Sequence, residues 1–109
     1  MEQAVRKIAL LGMGTVGGGV YEIIEKQKEE MPFKIGAELE IVKILVRNKA
    51  KYAEKVPAEK LTDAWEDIIN DDSIDIVVEV MGGIEPARTY IKAALAKGKH
   101  VVTANKDLM

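Results

Sequence analysis

Three glycines spaced as G-x-G-x-x-G near the amino terminus are the residues of this sequence best suited to hold a ligand. They follow the apolar run 8–11 and precede a helical pattern that begins at Thr15. Gly12 allows a tight turn out of a strand, Gly14 lets a pyrophosphate approach the backbone, and Gly17 lets the helix pack closely on the strand. Because N–H groups at the start of a helix attract phosphate, this segment predicts a dinucleotide-binding turn.

A cation ends the second apolar strand, where many NAD sites carry a carboxylate. The sequence there reads Val46-Arg47-Asn48-Lys49, so neither Asp nor Glu stands at the position that accepts from the adenosine ribose. The Arg47 guanidinium can pair with a 2′-phosphate, and Lys49 and Lys51 add positive charge nearby. This pattern favours NADP over NAD, while stacking of Arg47 on the adenine and use of both cofactors stay open.

Two later segments place candidate site residues directly after predicted strands. Gly82 and Gly83 follow an apolar run and precede a helix with Pro86 in its first turn, which is typical either of a close ligand approach or of a plain tight turn. Asn105 and Lys106 follow the last predicted strand. A lysine there can hold a phosphate or substrate oxygen, or act as acid or base when desolvated, so Lys106 is the candidate catalytic residue.

Alternating strands and helices would position these residues. Apolar runs predict strands at residues 7–11, 39–46, 74–80 and 100–103. Helical spacing predicts a helix at 15–30 that Pro32 ends before a loop with a turn at Gly36, a second helix at 63–70 with Thr62 as its N-cap, and a third that ends before Gly98. The buried helix faces are predicted at Val16, Val20, Ile23 and Ile24 in the first helix, and at Ala87, Ile91, Ala94 and Leu95 in the third.

This alternation predicts an α/β fold with a Rossmann-type doubly wound parallel sheet. We expect the sheet to be truncated after a fifth strand, one more than the four that the apolar runs mark. Ligands of such sheets bind at the carboxyl ends of the strands, where the strand order reverses. The glycine turn, Arg47, the pair Gly82-Gly83 and the pair Asn105-Lys106 are therefore expected to converge on one crevice.

Composition excludes several classes of function. The chain has 109 residues, enough for one domain, and its net charge of −2 offers no basic excess to bind nucleic acid or an anionic membrane. The absence of cysteine excludes disulfides, thiol catalysis and cysteine-ligated zinc, and a single histidine argues against a metal site. The short polar amino terminus and the glycine-interrupted apolar run do not form a signal peptide or membrane span, which indicates a cytoplasmic protein.

Three ordered motifs make the sequence resemble the homoserine dehydrogenases. The first is the glycine turn with its flanks, residues 8–20. The second, residues 79–87, contains Gly-Gly-x-x-Pro-Ala, and the third, residues 101–106, contains Thr-Ala-Asn-Lys. The three motifs cover essentially the whole chain, and the second and third make the resemblance specific.

The resemblance implies an NAD(P)-dependent oxidoreductase that interconverts L-aspartate 4-semialdehyde and L-homoserine, in threonine, methionine and isoleucine biosynthesis. It implies that the lysine at 106 lies near the nicotinamide, and that the other catalytic lysine and the substrate ligands lie in a substrate-binding and dimerisation region. Residues 1–109 are then the NAD(P)-binding domain alone, inactive without that region, and the full-length enzyme is expected to be a homo-oligomer. The expected cofactor contacts are Gly12, Met13, Gly14, Thr15, Val16, Gly17, Arg47, Gly82, Gly83, Asn105 and Lys106.

Two alternatives stay open. The first is another Rossmann-type reductase of amino-acid biosynthesis, such as a dihydrodipicolinate reductase or an aspartate semialdehyde dehydrogenase. The second is a non-catalytic nucleotide-sensing module. Such modules commonly carry an acidic residue after the second strand, which this chain lacks, and the Thr-Ala-Asn-Lys motif has no obvious purpose in one.

Overall fold

The apolar run before the glycine turn forms the central strand of a parallel sheet. A computed structural model describes residues 5–30, 38–81 and 83–103. Two short 3-10 turns, Lys49–Tyr52 and Ala58–Lys60, follow the second strand. The strands are β1 (Val5–Leu11), β2 (Glu38–Leu45), β3 (Leu61–Thr62), β4 (Ile74–Glu79) and β5 (His100–Thr103), and the helices are α1 (Thr15–Glu30), α2 (Glu66–Ile69) and α3 (Ala87–Ala96).

The strand order confirms the predicted fold class. The sheet has five strands in the order β3-β2-β1-β4-β5, and every neighbouring pair is parallel. The chain builds outward from β1 to β3 on one side, then returns to the other side of β1 to build β4 and β5. The strand order therefore reverses between β1 and β4, which is where ligands of doubly wound sheets bind.

The alternation of side chains along β1 divides the core between the two faces of the sheet. Ile8 and Leu10 lie in a core cluster to which α1 contributes partly buried apolar residues. Ala9 and Leu11 lie in a second cluster that includes Ile68 of α2 and Ala94 of α3. All four β1 residues are at most 2% exposed, so β1 is covered on both faces and the sheet is doubly wound.

The second helix is shorter than the sequence predicts, and Thr62 is not its N-cap. The helix expected at 63–70 is the single turn Glu66–Ile69, and the predicted N-cap, Thr62, lies instead in the two-residue strand β3. The Thr62 hydroxyl accepts from the Ala64 N–H (3.1 Å) and donates to the Asp67 carboxylate (2.6 Å). These bonds hold the chain in a non-helical turn before the helix starts, because a threonine hydroxyl competes with helical backbone pairing.

Two helix residues predicted to be buried are exposed. Ile23 is 60% exposed and Leu95 is 57% exposed. In α1, the buried Gly17 makes the close contact with the sheet. This contact sets the rotation of the helix about its axis, so that Val20 and Ile24 pack against the core and Ile23 does not. In α3, the fully buried Ala87 and Ala94 define the contact line, and Leu95 lies at its edge.

Other predicted features agree with the structure or lie beyond its described part. The third helix ends before Gly98 as predicted, and Gly98 has φ +80°, the left-handed conformation that glycine favours just past a helix end. The predicted loop with Pro32 and Gly36 lies outside the described residues. Within the described ranges, no helix is long and apolar enough to cross a membrane.

Candidate functional site

The carboxyl ends of the central strands border a crevice of about 630 Å³. Backbone bonds beyond the strands align these ends: the N–H of Gly12 donates to Leu45 O (2.9 Å), and the N–H of Val80 donates to Leu11 O (3.0 Å). The lining residues come from the last residue of β2, from the segments that follow β1, β2, β3 and β4, and from the start of α3. They are Gly12, Met13, Leu45, Val46, Arg47, Asn48, Lys51, Tyr52, Asp63, Met81, Pro86 and Tyr90.

The glycine turn has the geometry that its spacing predicts. Gly12 has φ +98°, and a Cβ on it would stand 3.3 Å from Met81 Cα. A Cβ on Gly17 would stand 2.7 Å from the backbone oxygen of Gly12, so only glycine allows α1 to lie this close to the turn. Gly14 has φ +29° and nothing within 4 Å of the place of a Cβ, which leaves open space beside its backbone.

Helix α1 begins directly at this turn. The Gly18 N–H donates to Met13 O (2.6 Å) and Gly14 O (3.0 Å), and these are the first bonds of the helix. The preceding N–H groups of a helix have no intrahelical acceptor and carry the positive end of its dipole. Because Gly12 and Met13 line the crevice, that helix terminus lies at its border. The side chains of Thr15 and Val16, two predicted contacts, are outside the described part of the structure.

The end of the crevice beside β2 and β3 carries the charged groups. Arg47 and Lys51 line it, whereas the exposed Lys49 is not part of the lining. The Asn48 side chain accepts from the Ala50 N–H (3.1 Å) and so fixes the turn that carries Arg47. The Lys51 Nζ lies 5.6 Å from the centre of the Tyr52 ring, which restrains this ammonium group.

The opposite end of the crevice is mostly apolar. Met81, Pro86 and Tyr90 line it, and the Tyr90 ring stacks on the Trp65 ring with centroids 4.3 Å apart and planes 21° apart. Trp65 therefore packs against Tyr90 and holds its ring in place. Of the residues described, no group of three or more acidic or histidine side chains is placed to hold a metal ion.

The crevice brings together some of the predicted contacts and not others. Gly12, Met13 and Arg47 line it, and Gly14 and Gly17 shape the turn behind it. Gly83 is exposed with φ +75° and does not belong to the lining. Three further predicted residues, Gly82, Asn105 and Lys106, lie outside the described residues.

Sequence reasoning missed several residues of the lining. Asp63 follows β3, whose two residues are too few to show a period, so the position of its carboxylate could not be inferred. Tyr52 lies in a 3-10 turn that has no apolar periodicity. Tyr90 lies on the buried face of α3, where an aromatic residue is usually interpreted as part of the hydrophobic core. The one available signal was the i, i+4 spacing from Pro86 to Tyr90, which places both on one helix face.

A doubly wound parallel sheet, a glycine turn that opens onto a helix terminus and a crevice at the point of reversal define a Rossmann-type dinucleotide-binding domain. The open space at Gly14 fits a pyrophosphate, since no protein atom occupies it. The family model described as the NAD-binding domain of homoserine dehydrogenase matches residues 12–109. The chain belongs to the homoserine dehydrogenase family of oxidoreductases and binds a nicotinamide dinucleotide through this domain.

Curated relatives and solved structures agree with this assignment. The chain is 44% identical over 104 residues to the homoserine dehydrogenase of Bacillus subtilis, covering 94% of this chain and 24% of that protein. It is 46% identical over 102 residues to that of Mycobacterium tuberculosis, covering 94% and 23%. A crystal structure of the Staphylococcus aureus homoserine dehydrogenase at pH 6.0 matches with a TM-score of 0.87 and 47% identity, over 98% of this chain and 28% of that chain.

A crystal structure of the Thiobacillus denitrificans homoserine dehydrogenase matches with a TM-score of 0.85 and 43% identity. That match covers 98% of this chain and 25% of the other. The chain thus spans about a quarter of the length of the relatives that it matches.

Proposed function

We propose that the chain binds NADP in preference to NAD, as the cofactor-binding domain of an enzyme that reduces L-aspartate 4-semialdehyde to L-homoserine. A bound NADPH would supply the hydride for this two-electron reduction, and a proton would complete the hydroxyl group of the product. The residues of this chain bind and orient the dinucleotide. The glycine turn holds the pyrophosphate, the β2 end holds the adenosine half, and the β4 and β5 ends face the nicotinamide half.

The observation that carries the NADP preference is the position of Arg47. Its exposed guanidinium follows β2 and lines the crevice, at the place where NAD-selective sites carry a carboxylate. A guanidinium pairs strongly with a phosphate dianion and gains little from a ribose hydroxyl. Lys51 lines the same end and adds a second positive charge.

One other residue of the lining favours the second candidate, a site that also accepts NAD. The exposed Asp63 carboxylate lines the crevice from the β3 side. A carboxylate only accepts hydrogen bonds, so it suits the adenosine ribose hydroxyls of NAD and repels a 2′-phosphate. Arg47 and Asp63 therefore have opposite expected effects on cofactor choice.

The test is calorimetric titration of the chain with NADPH and with NADH, repeated for Arg47→Ala and Asp63→Asn. We expect Arg47→Ala to weaken NADPH binding about tenfold or more, since one charged hydrogen bond is lost, and to change NADH binding less than about twofold. Arg6→Ala is the matched control, because Arg6 is an exposed arginine near the amino end of β1, whereas the crevice lies at the carboxyl ends of the strands.

Each outcome of the titration decides between the candidates. Selective loss of NADPH affinity in Arg47→Ala supports the NADP site. Equal binding of both cofactors that is insensitive to Arg47→Ala but is weakened for NADH by Asp63→Asn supports the NAD-accepting site. If the unaltered chain binds neither cofactor, the proposal that residues 1–109 form a sufficient binding domain is wrong.

We also propose a division of labour within the longer relatives. Residues 1–109 form the NAD(P)-binding domain, Lys106 is the candidate catalytic residue, and Asn105, Gly82 and Gly83 are further candidate cofactor contacts. Substrate binding and dimerisation belong to a further region, in keeping with a chain that spans about a quarter of its relatives. Threonine and methionine biosynthesis in the cytoplasm is the setting that this activity serves.

An activity assay tests this division directly. The 109-residue chain is expected to show no homoserine-dependent reduction of NADP even when the cofactor is bound, because this proposal assigns the groups that position substrate to the further region. Sustained turnover at a rate comparable to that of a full-length homoserine dehydrogenase would show that the division is wrong.

A further inference from the structure

A fully buried carboxylate ends β4, beside the crevice. The Glu79 side chain is 0% exposed. Its Oε2 accepts a hydrogen bond from the Met81 N–H (2.7 Å), and its Oε1 accepts one from the Thr103 hydroxyl (2.6 Å). Both of these partners lie at carboxyl ends of strands: Met81 follows β4, and Thr103 ends β5.

Packing alone does not account for an acidic residue here. The other fully buried positions of β4, Ile74 and Val77, are apolar, and an apolar residue at 79 would avoid the desolvation of a carboxylate. A buried charge is tolerated only when its hydrogen bonds are made, and replacing such a group by an apolar one is often neutral or stabilising for the fold. The specific property of Glu79 is therefore that it binds two donors from two strand ends at once.

The first of these bonds positions the wall of the crevice. Met81 lines the crevice, and its Cα lies 3.3 Å from where a Cβ on Gly12 would stand. The bond to the Met81 N–H thus holds the chain that leaves β4 against the glycine turn. Because this hydrogen bond is made by the main-chain N–H of Met81, it fixes the direction in which the backbone continues after β4.

The second bond ties β5 to β4. Thr103 pairs with Glu79 in the parallel register, and its hydroxyl donates to the carboxylate from the last residue of the strand. The β5 end and the β4 end consequently move together. Arg47 follows β2, on the other side of β1, and has no part in these contacts.

We propose that Glu79 is a positioning residue for the nicotinamide half of the site. Its carboxylate fixes the ends of β4 and β5 relative to the glycine turn, and so shapes the half of the crevice that lies away from the adenosine. This inference rests on the proposed function, because it assigns the β4 and β5 side to the nicotinamide. It predicts that loss of the carboxylate weakens binding of the whole dinucleotide and spares ligands that fill only the adenosine half.

The experiment compares NADPH with 2′,5′-ADP, which carries the adenosine and the 2′-phosphate but no nicotinamide. Glu79→Leu is expected to weaken NADPH binding about tenfold, as when one charged hydrogen bond is lost, and to leave 2′,5′-ADP binding within about twofold. Glu79→Gln is expected to restore most of the loss. Its amide oxygen can accept from the Met81 N–H while its amide nitrogen donates to the Thr103 hydroxyl, which then accepts.

A control and a second variant separate positioning from general destabilisation. Lys99 is also buried and hydrogen-bonded, but it bonds to carbonyls at the amino end of β4, far from the crevice. Lys99→Met should lower the melting temperature without changing the ratio of the two affinities. Thr103→Val removes one of the two bonds and should change the ratio in the same direction as Glu79→Leu, even if Glu79→Leu fails to fold.

The outcomes are distinct. The inference is supported if Thr103→Val changes the ratio of the NADPH affinity to the 2′,5′-ADP affinity. It is also supported if Glu79→Leu changes this ratio and Glu79→Gln does not. A ratio like that of the unaltered chain in both Thr103→Val and a folded Glu79→Leu overturns the inference alone. Failure of the unaltered chain to bind NADPH while it binds 2′,5′-ADP would instead overturn the proposed function, and the inference with it.

Discussion

A Cβ atom on Gly17 would stand 2.7 Å from the main-chain oxygen of Gly12 and 3.1 Å from a methyl group of Val80. The first turn of α1 therefore rests directly on the backbone of the glycine turn. Because the obstacle at 2.7 Å is backbone, no side-chain rotation can relieve it. The third glycine of the motif thus sets the distance between the helix and the sheet.

The first prediction follows from this contact. Gly17→Ala should push α1 away from the sheet and lower the free energy of unfolding by about 1–3 kcal/mol, as overpacking does. Gly19→Ala is the matched control, because nothing lies within 4 Å of its Cβ position and alanine favours a helix interior by about 0.5–1 kcal/mol. Urea denaturation followed by circular dichroism measures both, and equal stability of the two variants would contradict the steric argument.

The second prediction concerns Gly14, whose surroundings are open. A Cβ there meets no protein atom within 4 Å, so the main effect on folding is the strain of φ +29°, about 1–2 kcal/mol. The methyl group would occupy the space that we assign to the pyrophosphate. Gly14→Ala is therefore expected to weaken NADPH binding about tenfold or more at temperatures where the variant is folded. Calorimetry at such a temperature checks this, and undiminished affinity would place the phosphates elsewhere.

The third prediction concerns a lysine buried at the amino end of the sheet. Lys99 is 6% exposed, and its Nζ donates to Asp71 O (2.7 Å) and Ile74 O (2.9 Å). Lys99→Met keeps the aliphatic stem but leaves these carbonyls without that donor, so the free energy of unfolding should fall by about 1–3 kcal/mol. Lys97→Met, at an exposed position, should change it by at most about 0.5 kcal/mol. Thermal unfolding of the pair tests the difference.

The fourth prediction is a pH dependence at the turn before β4. Hydrogen bonds from the Ser73 hydroxyl and the Ser73 N–H, with the charges of Lys7 and Lys99, lower the pKa of the Asp71 carboxyl below its ordinary value. A lowered pKa in the folded state means that this stabilisation is present above about pH 4, the unfolded pKa, and is lost as the pH falls through the folded pKa. Ser73→Ala should raise the pKa of Asp71 toward its ordinary value.

Urea denaturation between pH 6 and pH 3, with NMR titration of the Asp71 carboxyl, measures this effect. The stability difference between the unaltered chain and Ser73→Ala should be largest near neutral pH and should shrink on acidification. The same substitution in an Asp71→Asn background is the control, and it should show no change in that difference with pH. A difference that is constant with pH in both backgrounds would mean that the serine acts without the carboxylate.

The expectations that held rest on local rules. The bounds of α1 and β5 were predicted as Thr15–Glu30 and His100–Thr103, because glycine turns and polar breaks punctuate apolar periods at those places. The left-handed Gly98 after α3 follows from the need for a residue without a Cβ at that position. The close packing of Gly17 follows from the spacing of the motif alone.

The expectations that failed depended on packing between distant segments. The strand β3 has only two residues and exists because Leu61 and Thr62 pair with the end of β2, which no local pattern shows. Ile23 fits a helical stripe, yet it is exposed because the close contact of Gly17 sets the rotation of α1. The spacing of apolar side chains identifies the buried face of a helix only to within about one residue. Tertiary contacts decide which of two neighbouring residues faces the core.

By itself the sequence determined the kind of fold, the place of the dinucleotide turn and the resemblance to the homoserine dehydrogenases. Glycine spacing, the alternation of strand and helix patterns, and short motifs are all local features of the sequence. The tertiary structure alone decided that Asp63 and Tyr90 line the crevice and that Glu79 joins two strand ends. Glu79 and Thr103 are 24 residues apart in the sequence. Their contact exists only because a parallel sheet aligns the carboxyl ends of strands that are far apart in the sequence.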